Sequence, residues 1–402
     1  MFGYNISKIR KDFPILERKI IYFDNACMSL KPKQVVEKMN EYYHEYTACT
    51  GRSMHTLATR VHEEVDKARH EVKKLINAKS DSEIIFTRNT TEAINLIANS
   101  FGLKRGDEII LSDKEHNSNL VPWLKLKNKM GIKLVISTTN KDGTFNLERF
   151  TRCFSRNTKL VSIIHTSNID GVTNPIKEIV EIAHKNNAKV LVDAAQGIPS
   201  QEIDVRKLDI DFLAFSGHKM CGPTGTGVLY GKKELLEQLD QFIVGGETVI
   251  DSTYDSYVPE EIPARFEAGL QDYAGIIGLG EACKYIRSIG QNNIHKHEVK
   301  LNTLLTSLLS NEEKIIILGP RDAELRGGIF SFVIEGLDVH HVAKILNHSK
   351  NIMTRSGAHC VHSWFNKHGM NGSVRASLYL YNTEEEVRAF AGEIKKIAKF
   401  LK

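Results

Sequence analysis

Through the first 230 residues, short apolar runs alternate with longer amphipathic ones. The runs at 84–87, 108–112, 133–137, 160–165, 190–193, 212–216 and 227–230 have strand length and are bounded by turn-forming residues. Helical spacing of apolar positions at 91–101, 119–129, 147–154 and 176–186 separates most of them. This repetition predicts an α/β domain built on a mainly parallel seven-stranded sheet flanked by helices. The last two runs are joined by a loop with no helix, which allows an antiparallel pair there. From about 241 to 272 the pattern becomes polar and irregular. Helical periodicity returns over 274–310, followed by a strand pattern at 328–334, a helix at 340–347 and a closing amphipathic helix at 384–401. These elements predict a second, smaller α+β domain. The expected division is an N-terminal arm over 1–20 packed with the small domain, a large domain over 21–265 and the small domain over 266–402.

A chain of 402 residues exceeds the size at which one core usually stops growing, in agreement with two domains. The formal charge of +5 comes from 54 basic and 49 acidic residues dispersed along the chain, which argues against a nucleic-acid partner. No apolar run approaches membrane-spanning length, and MFGYNISKIRKDFPI lacks the apolar centre of a secretory signal. Six cysteines without regular spacing fit reduced thiols in a cytoplasmic protein better than a disulfide framework.

The densest chemistry lies in FSGHKMCGPTGTGVLY at 215–230. Lys219 follows a strand run, between Ser216 and His218 on one side and a glycine cluster on the other. Such a lysine suits a Schiff base to an aldehyde cofactor that also carries a phosphate. The order G-x-x-G-x-G fits neither the dinucleotide nor the Walker pattern. Taken alone, the stretch also reads as an ordinary turn with a solvated lysine. Other strand ends add groups that converge, because chemistry in open α/β sheets gathers beyond the carboxyl ends of the strands. Asp193 ends a strand, with Gln196 three residues on; it suits a protonated ring nitrogen, or a helix cap. Thr90 and Thr91 open a helix and suit a phosphate, or simple capping. His116 suits stacking on a planar ring, and Asn168 follows another strand; each is ambiguous when read singly.

The ordered series TRNTTEAINL, EHNSNLVPW, VLVDAAQ, FSGHKMCGPTGTGVLY, RFEAG and RSGAHC resembles the class V, fold-type I family of pyridoxal 5′-phosphate enzymes. Within it the chain is most similar to Suf-type (group II) cysteine desulfurases, with selenocysteine lyases as near relatives. The similarity runs from YFDNACMSLKP to YNTEEEV. The resemblance implies that Lys219 is the Schiff-base lysine, that Asp193 pairs with the ring nitrogen and that His116 stacks on the ring. It implies Gln196 at the ring hydroxyl, Asn168 near that hydroxyl and the substrate, and Thr90, Thr91, Ser216 and His218 around the phosphate. Arg375 would bind the substrate carboxylate, with Arg355 beside it.

The segment MTRSGAHCVHSWF resembles the persulfide loop of that group, which implies that Cys360 takes sulfur from L-cysteine, releases L-alanine and passes the sulfur to an acceptor protein. Iron–sulfur cluster assembly or another sulfur transfer would be the destination, and a homodimer the working form. His359, His362 and His368 around one thiol argue against structural zinc, so no metal is expected. Three departures stand out. Leu270 replaces the hydroxyl residue that follows RFEAG, leaving the Gly269 backbone as the candidate cross-subunit contact. Asn89 replaces a glycine, and Cys27 replaces an alanine near the substrate mouth. Ala358 also leaves the Cys360 loop slightly atypical. A selenocysteine lyase, another class V lyase or aminotransferase, and a non-enzymatic sulfur-carrier scaffold remain open as alternatives.

Overall fold

A computed structural model describes residues 4–51 and 53–399. All seven runs form one sheet: β1 (Ile84–Thr87), β2 (Glu108–Ser112), β3 (Lys133–Ser137), β4 (Thr158–Ile164), β5 (Lys189–Asp193), β6 (Phe212–Ser216) and β7 (Gly227–Gly231). Their order across the sheet is β1-β7-β6-β5-β4-β2-β3, and only β7 runs antiparallel to its neighbours. Strands β5 and β6 are apolar runs because helices cover both faces; every residue of β6 is buried. The antiparallel placement of β7 beside β6 fits a connection with room for only a short turn.

Two helices that the polarity of the sequence conceals, Lys33–Glu45 and Thr56–Ile76, pack on a third, Tyr273–Ile289. The last of these buries Ile276, Ile277, Leu279, Cys283 and Ile286 in the same core as Val61, Val65, Ala68 and Val72. The expected boundary at 266 therefore falls ahead of a helix that packs with the larger body, and the separate core of the smaller body begins with Gln291–Leu309. That smaller body holds a four-stranded sheet of β8 (Ile315–Ile317), β9 (Ile329–Ile334), β10 (Arg355–Gly357) and β11 (Ser373–Ser377), in the order β8-β9-β11-β10. All its pairings are antiparallel. The helix Glu384–Lys399 closes it; residues 1–3 of the arm and 400–401 of the expected last helix lie outside the described residues.

The N-terminal arm joins both bodies. Arg10 pairs with Glu386 of the closing helix at 2.8 Å, and just past the arm Ile21–Tyr22 pairs in parallel with Ile352–Met353 of the smaller body. Ile9, Phe13 and Leu16 sink into the larger core, where Phe13 packs on Tyr285 and Tyr381. The polar stretch after 241 forms an exposed hairpin, Val249–Ser252 with Tyr257–Pro259. Among the described residues, no helix is long and apolar enough to cross a membrane.

Candidate active site

Beyond the carboxyl ends of β1, β2, β4, β5 and β6 lies a cavity of about 270 Å³, closed on its far side by the smaller body. It brings together all twelve residues singled out in the sequence: Thr90, Thr91, His116, Asn168, Asp193, Gln196, Ser216, His218, Lys219, Arg355, Cys360 and Arg375.

Lys219 ends a short 3₁₀ turn after β6, and burial lowers its amine pKa against the opposing pull of the Asp193 carboxylate. Asp193 is buried at the end of β5, where burial raises its pKa while the Ala195 N–H donates to it at 3.0 Å. No helix follows Asp193, so the capping alternative falls away. At the other end of the cavity, Thr90 and Thr91 open the helix Thr90–Ser100. Thr90 N–H donates to Ser216 Oγ at 2.9 Å and the two hydroxyls lie 2.6 Å apart. Thr91 Oγ1 lies 2.7 Å from Ser118 Oγ, whose own N–H donates to His116 Nδ1 at 3.1 Å. His116 is thus the N-cap of the helix Asn117–Met130, and its Nδ1 is an acceptor. Burial pushes its pKa down to about 3, with Lys219 contributing, so the ring is neutral.

Asn89 needs none of the conformational tolerance that its place before the threonines suggests. Its backbone is extended (φ −179°), and its side chain caps the helix by accepting from Glu92 N–H at 3.0 Å. The close approach is met instead by Gly227, where a Cβ would stand 2.6 Å from Asn89 Cα.

The smaller body supplies the remaining groups. Arg375, on β11, is 2% exposed; its Nη1 donates to the Asn168 carbonyl at 3.0 Å and its Nη2 faces Asp24 Oδ1 at 3.5 Å. Its Nε has no partner. Cys360 follows β10 in a loop where His359 and Cys360 both take left-handed backbone (φ 48° and 59°). Two bonds from the larger body hold that loop: Asn168 Nδ2 donates to His359 O at 2.8 Å, and Asn117 N–H to Cys360 O at 2.7 Å. The nearby histidines disperse: His359 Nε2 meets Ser373 Oγ at 2.9 Å, His362 meets Asn117, and His368 stacks on Trp364 at 4.1 Å. Arg355 lines the cavity, but its Nη1 donates to Cys27 Sγ at 2.7 Å.

A buried acid at one end, a desolvated lysine, a neutral ring and hydroxyls on a helix start at the other end form a donor set that fits pyridoxal phosphate. Asp24, Ser118 and Ala26 support this site too, although none of them stood out as a candidate from its motif. Asp24 stands in the DNAC motif, Ser118 two residues after His116, and the Ala26 carbonyl accepts from Gln196 Nε2 at 2.7 Å. Leu270 is 71% exposed, outside the cavity lining.

The family model described as "Aminotransferase class-V" matches residues 21–390. A probable cysteine desulfurase of Halalkalibacterium halodurans is 41% identical, with 98% of each chain covered. Among solved structures, the apo cysteine desulfurase of Thermococcus onnurineus is 41% identical with a TM-score of 0.94, covering 98% of each chain. The cysteine desulfurase CsdA of Escherichia coli, in an S-sulfonic acid form, is 33% identical with a TM-score of 0.92 and 99% coverage of each chain.

Proposed function

The chain belongs to the class V aminotransferase family, and from that premise we propose that it works as a pyridoxal-phosphate-dependent cysteine desulfurase in which Lys219 and Cys360 divide the chemistry. When bound, pyridoxal phosphate supplies a ring that accepts the electron pair released at the substrate α-carbon. Asp193 would hold its ring nitrogen, His116 its face, and Gln196 and Asn168 its hydroxyl. Thr90, Thr91, Ser216 and His218 would hold its phosphate at the helix start. The neutral state of His116 suits that contact, because a charged ring there would face the Lys219 ammonium.

Arg375 binds the carboxylate of L-cysteine, its Nε being without a protein partner. Lys219, its basicity lowered by burial, moves the α-proton. The Cys360 thiolate then attacks the substrate sulfur. The carbon–sulfur bond breaks, a sulfur–sulfur bond forms at Cys360, the carbon takes a proton and L-alanine leaves. The observation that carries this reading is that Lys219, Arg375 and Cys360 line one cavity although they come from two bodies.

An acceptor protein collects the sulfur from Cys360. The working form is a homodimer, supported by exposed Ile250, Tyr254, Tyr257 and Val258 on the hairpin and by exposed Leu270. The described cysteines are all unpaired, which suits the reducing cytoplasm. The test is to load purified protein with pyridoxal phosphate, record the visible spectrum, add L-cysteine and quantify alanine. Equal alanine and protein-bound or released sulfur is the expected result, and absence of alanine overturns the reading. A parallel run with L-selenocysteine decides between desulfurase and selenocysteine lyase.

A further inference from the structure

Two thiols face the cavity above Lys219. Cys360 enters on the loop after β10, and Cys27 on the turn after Tyr22, where its N–H donates to Asp24 O at 3.1 Å. Both sulfurs are close enough to Lys219 to bear on its charge. The other described cysteines do not line this cavity. Arg355 Nη1 lies 2.7 Å from Cys27 Sγ, placed to hold a negative charge on that sulfur. The nearby Arg375 keeps an unpartnered Nε in the buried wall, which leaves that arginine for the substrate carboxylate and Arg355 for the thiol.

We propose that Cys27 is a second sulfur acceptor inside the cavity, taking the terminal sulfur of the Cys360 persulfide while the Arg355 guanidinium holds the Cys27 sulfur. The proposal rests on the desulfurase reading. The Cys27 thiolate attacks the terminal sulfur, and a new sulfur–sulfur bond forms at Cys27. The bond at Cys360 breaks, and its electron pair leaves with the Cys360 sulfur as a thiolate. The proton of the persulfide stays with the transferred sulfur. Nothing is oxidised or reduced overall; one sulfur changes bearer, and Cys360 is free for another turnover before an external acceptor arrives.

The test treats the holoenzyme with L-cysteine in the absence of any acceptor, blocks the thiols by alkylation and reads the two cysteine peptides by mass spectrometry. The expected result is a one-sulfur mass shift on both the Cys27 and Cys360 peptides of the wild type, with both shifts lost in Cys360→Ser. Arg355→Ala should lower the share of sulfur found on Cys27. Alanine formation with sulfur on Cys360 alone overturns the relay and leaves the desulfurase reading intact. Sulfur on Cys27 in Cys360→Ser also overturns it, since the transfer would then bypass Cys360. Absence of alanine overturns both.

Discussion

The carboxamide of Asn168 donates 2.8 Å to the carbonyl of His359, the residue immediately before Cys360. One side chain from the larger body thereby fixes the loop that carries Cys360, and the same residue's carbonyl accepts from Arg375. Removing the carboxamide in Asn168→Ala costs about 1 kcal/mol of that positioning, or a roughly fivefold fall in kcat. Steady-state alanine release checks this, and an unchanged kcat would show that the tether is dispensable.

Arg375→Lys keeps the charge and loses the planar edge. Loss of a charge-assisted pair costs about 1.5–3 kcal/mol, so KM for L-cysteine should rise roughly ten- to a hundredfold. The kcat should change less, since the role proposed for Arg375 is binding and not proton transfer. A KM that stays level would remove Arg375 from the substrate carboxylate.

Asp170 forms a buried ion pair with Lys114, whose Nζ also donates to Gly143 O at 2.6 Å. The pair lies two residues beyond Asn168 and stiffens the turn that carries it. Asp170→Asn leaves the Lys114 ammonium buried without its counter-charge, at a cost of about 3–5 kcal/mol. Denaturant unfolding should show a matching drop, and a drop below 1 kcal/mol on the same order-of-magnitude scale would contradict it.

His165 is buried outside the cavity lining, and burial pushes its pKa from the ordinary 6.5 down to about 4. The unfolded chain therefore takes up this proton at a pH where the folded chain refuses it. The stability that His165 contributes is present above pH 6.5 and is lost as pH falls towards 4, by at most about 1.4 kcal/mol per pH unit. His165→Asn removes that loss, so the Tm gap between wild type and variant should narrow as pH falls through the same window. A gap independent of pH would contradict this.

The large sheet was legible because its central strands are buried on both faces; β1, β2 and β6 read as apolar runs with the bounds that the structure has, as does the half-exposed edge strand β3. The helix Thr56–Ile76 was not: its core contact is a narrow stripe of Val61, Val65, Ala68, Val72, Leu75 and Ile76 in a run otherwise full of charge. Strand β11 hid for a different reason. Its alternation is only five residues long, with Val374 and Ala376 in the smaller core and the opposite, polar face of Ser373, Arg375 and Ser377 buried as well, so it lacks the signature of a core strand. The residues that line the cavity were legible through their motifs; their supports were less so. Asp24 and Ser118 acquire meaning only through Arg375, Thr91 and His116, which sit far away in sequence or around a helix start. Asn89 shows the converse, a change that looked like a backbone matter and proved to be a helix cap.

The division of labour between Lys219 and Cys360 is tested most directly by Cys360→Ser holoenzyme mixed with L-cysteine. The visible spectrum should still change on mixing, since Lys219, Asp193 and Arg375 are intact. Alanine release should fall by a factor on the order of a hundred or more, because no thiolate receives the sulfur. Wild-type rates of alanine and sulfide release from that variant would contradict the account.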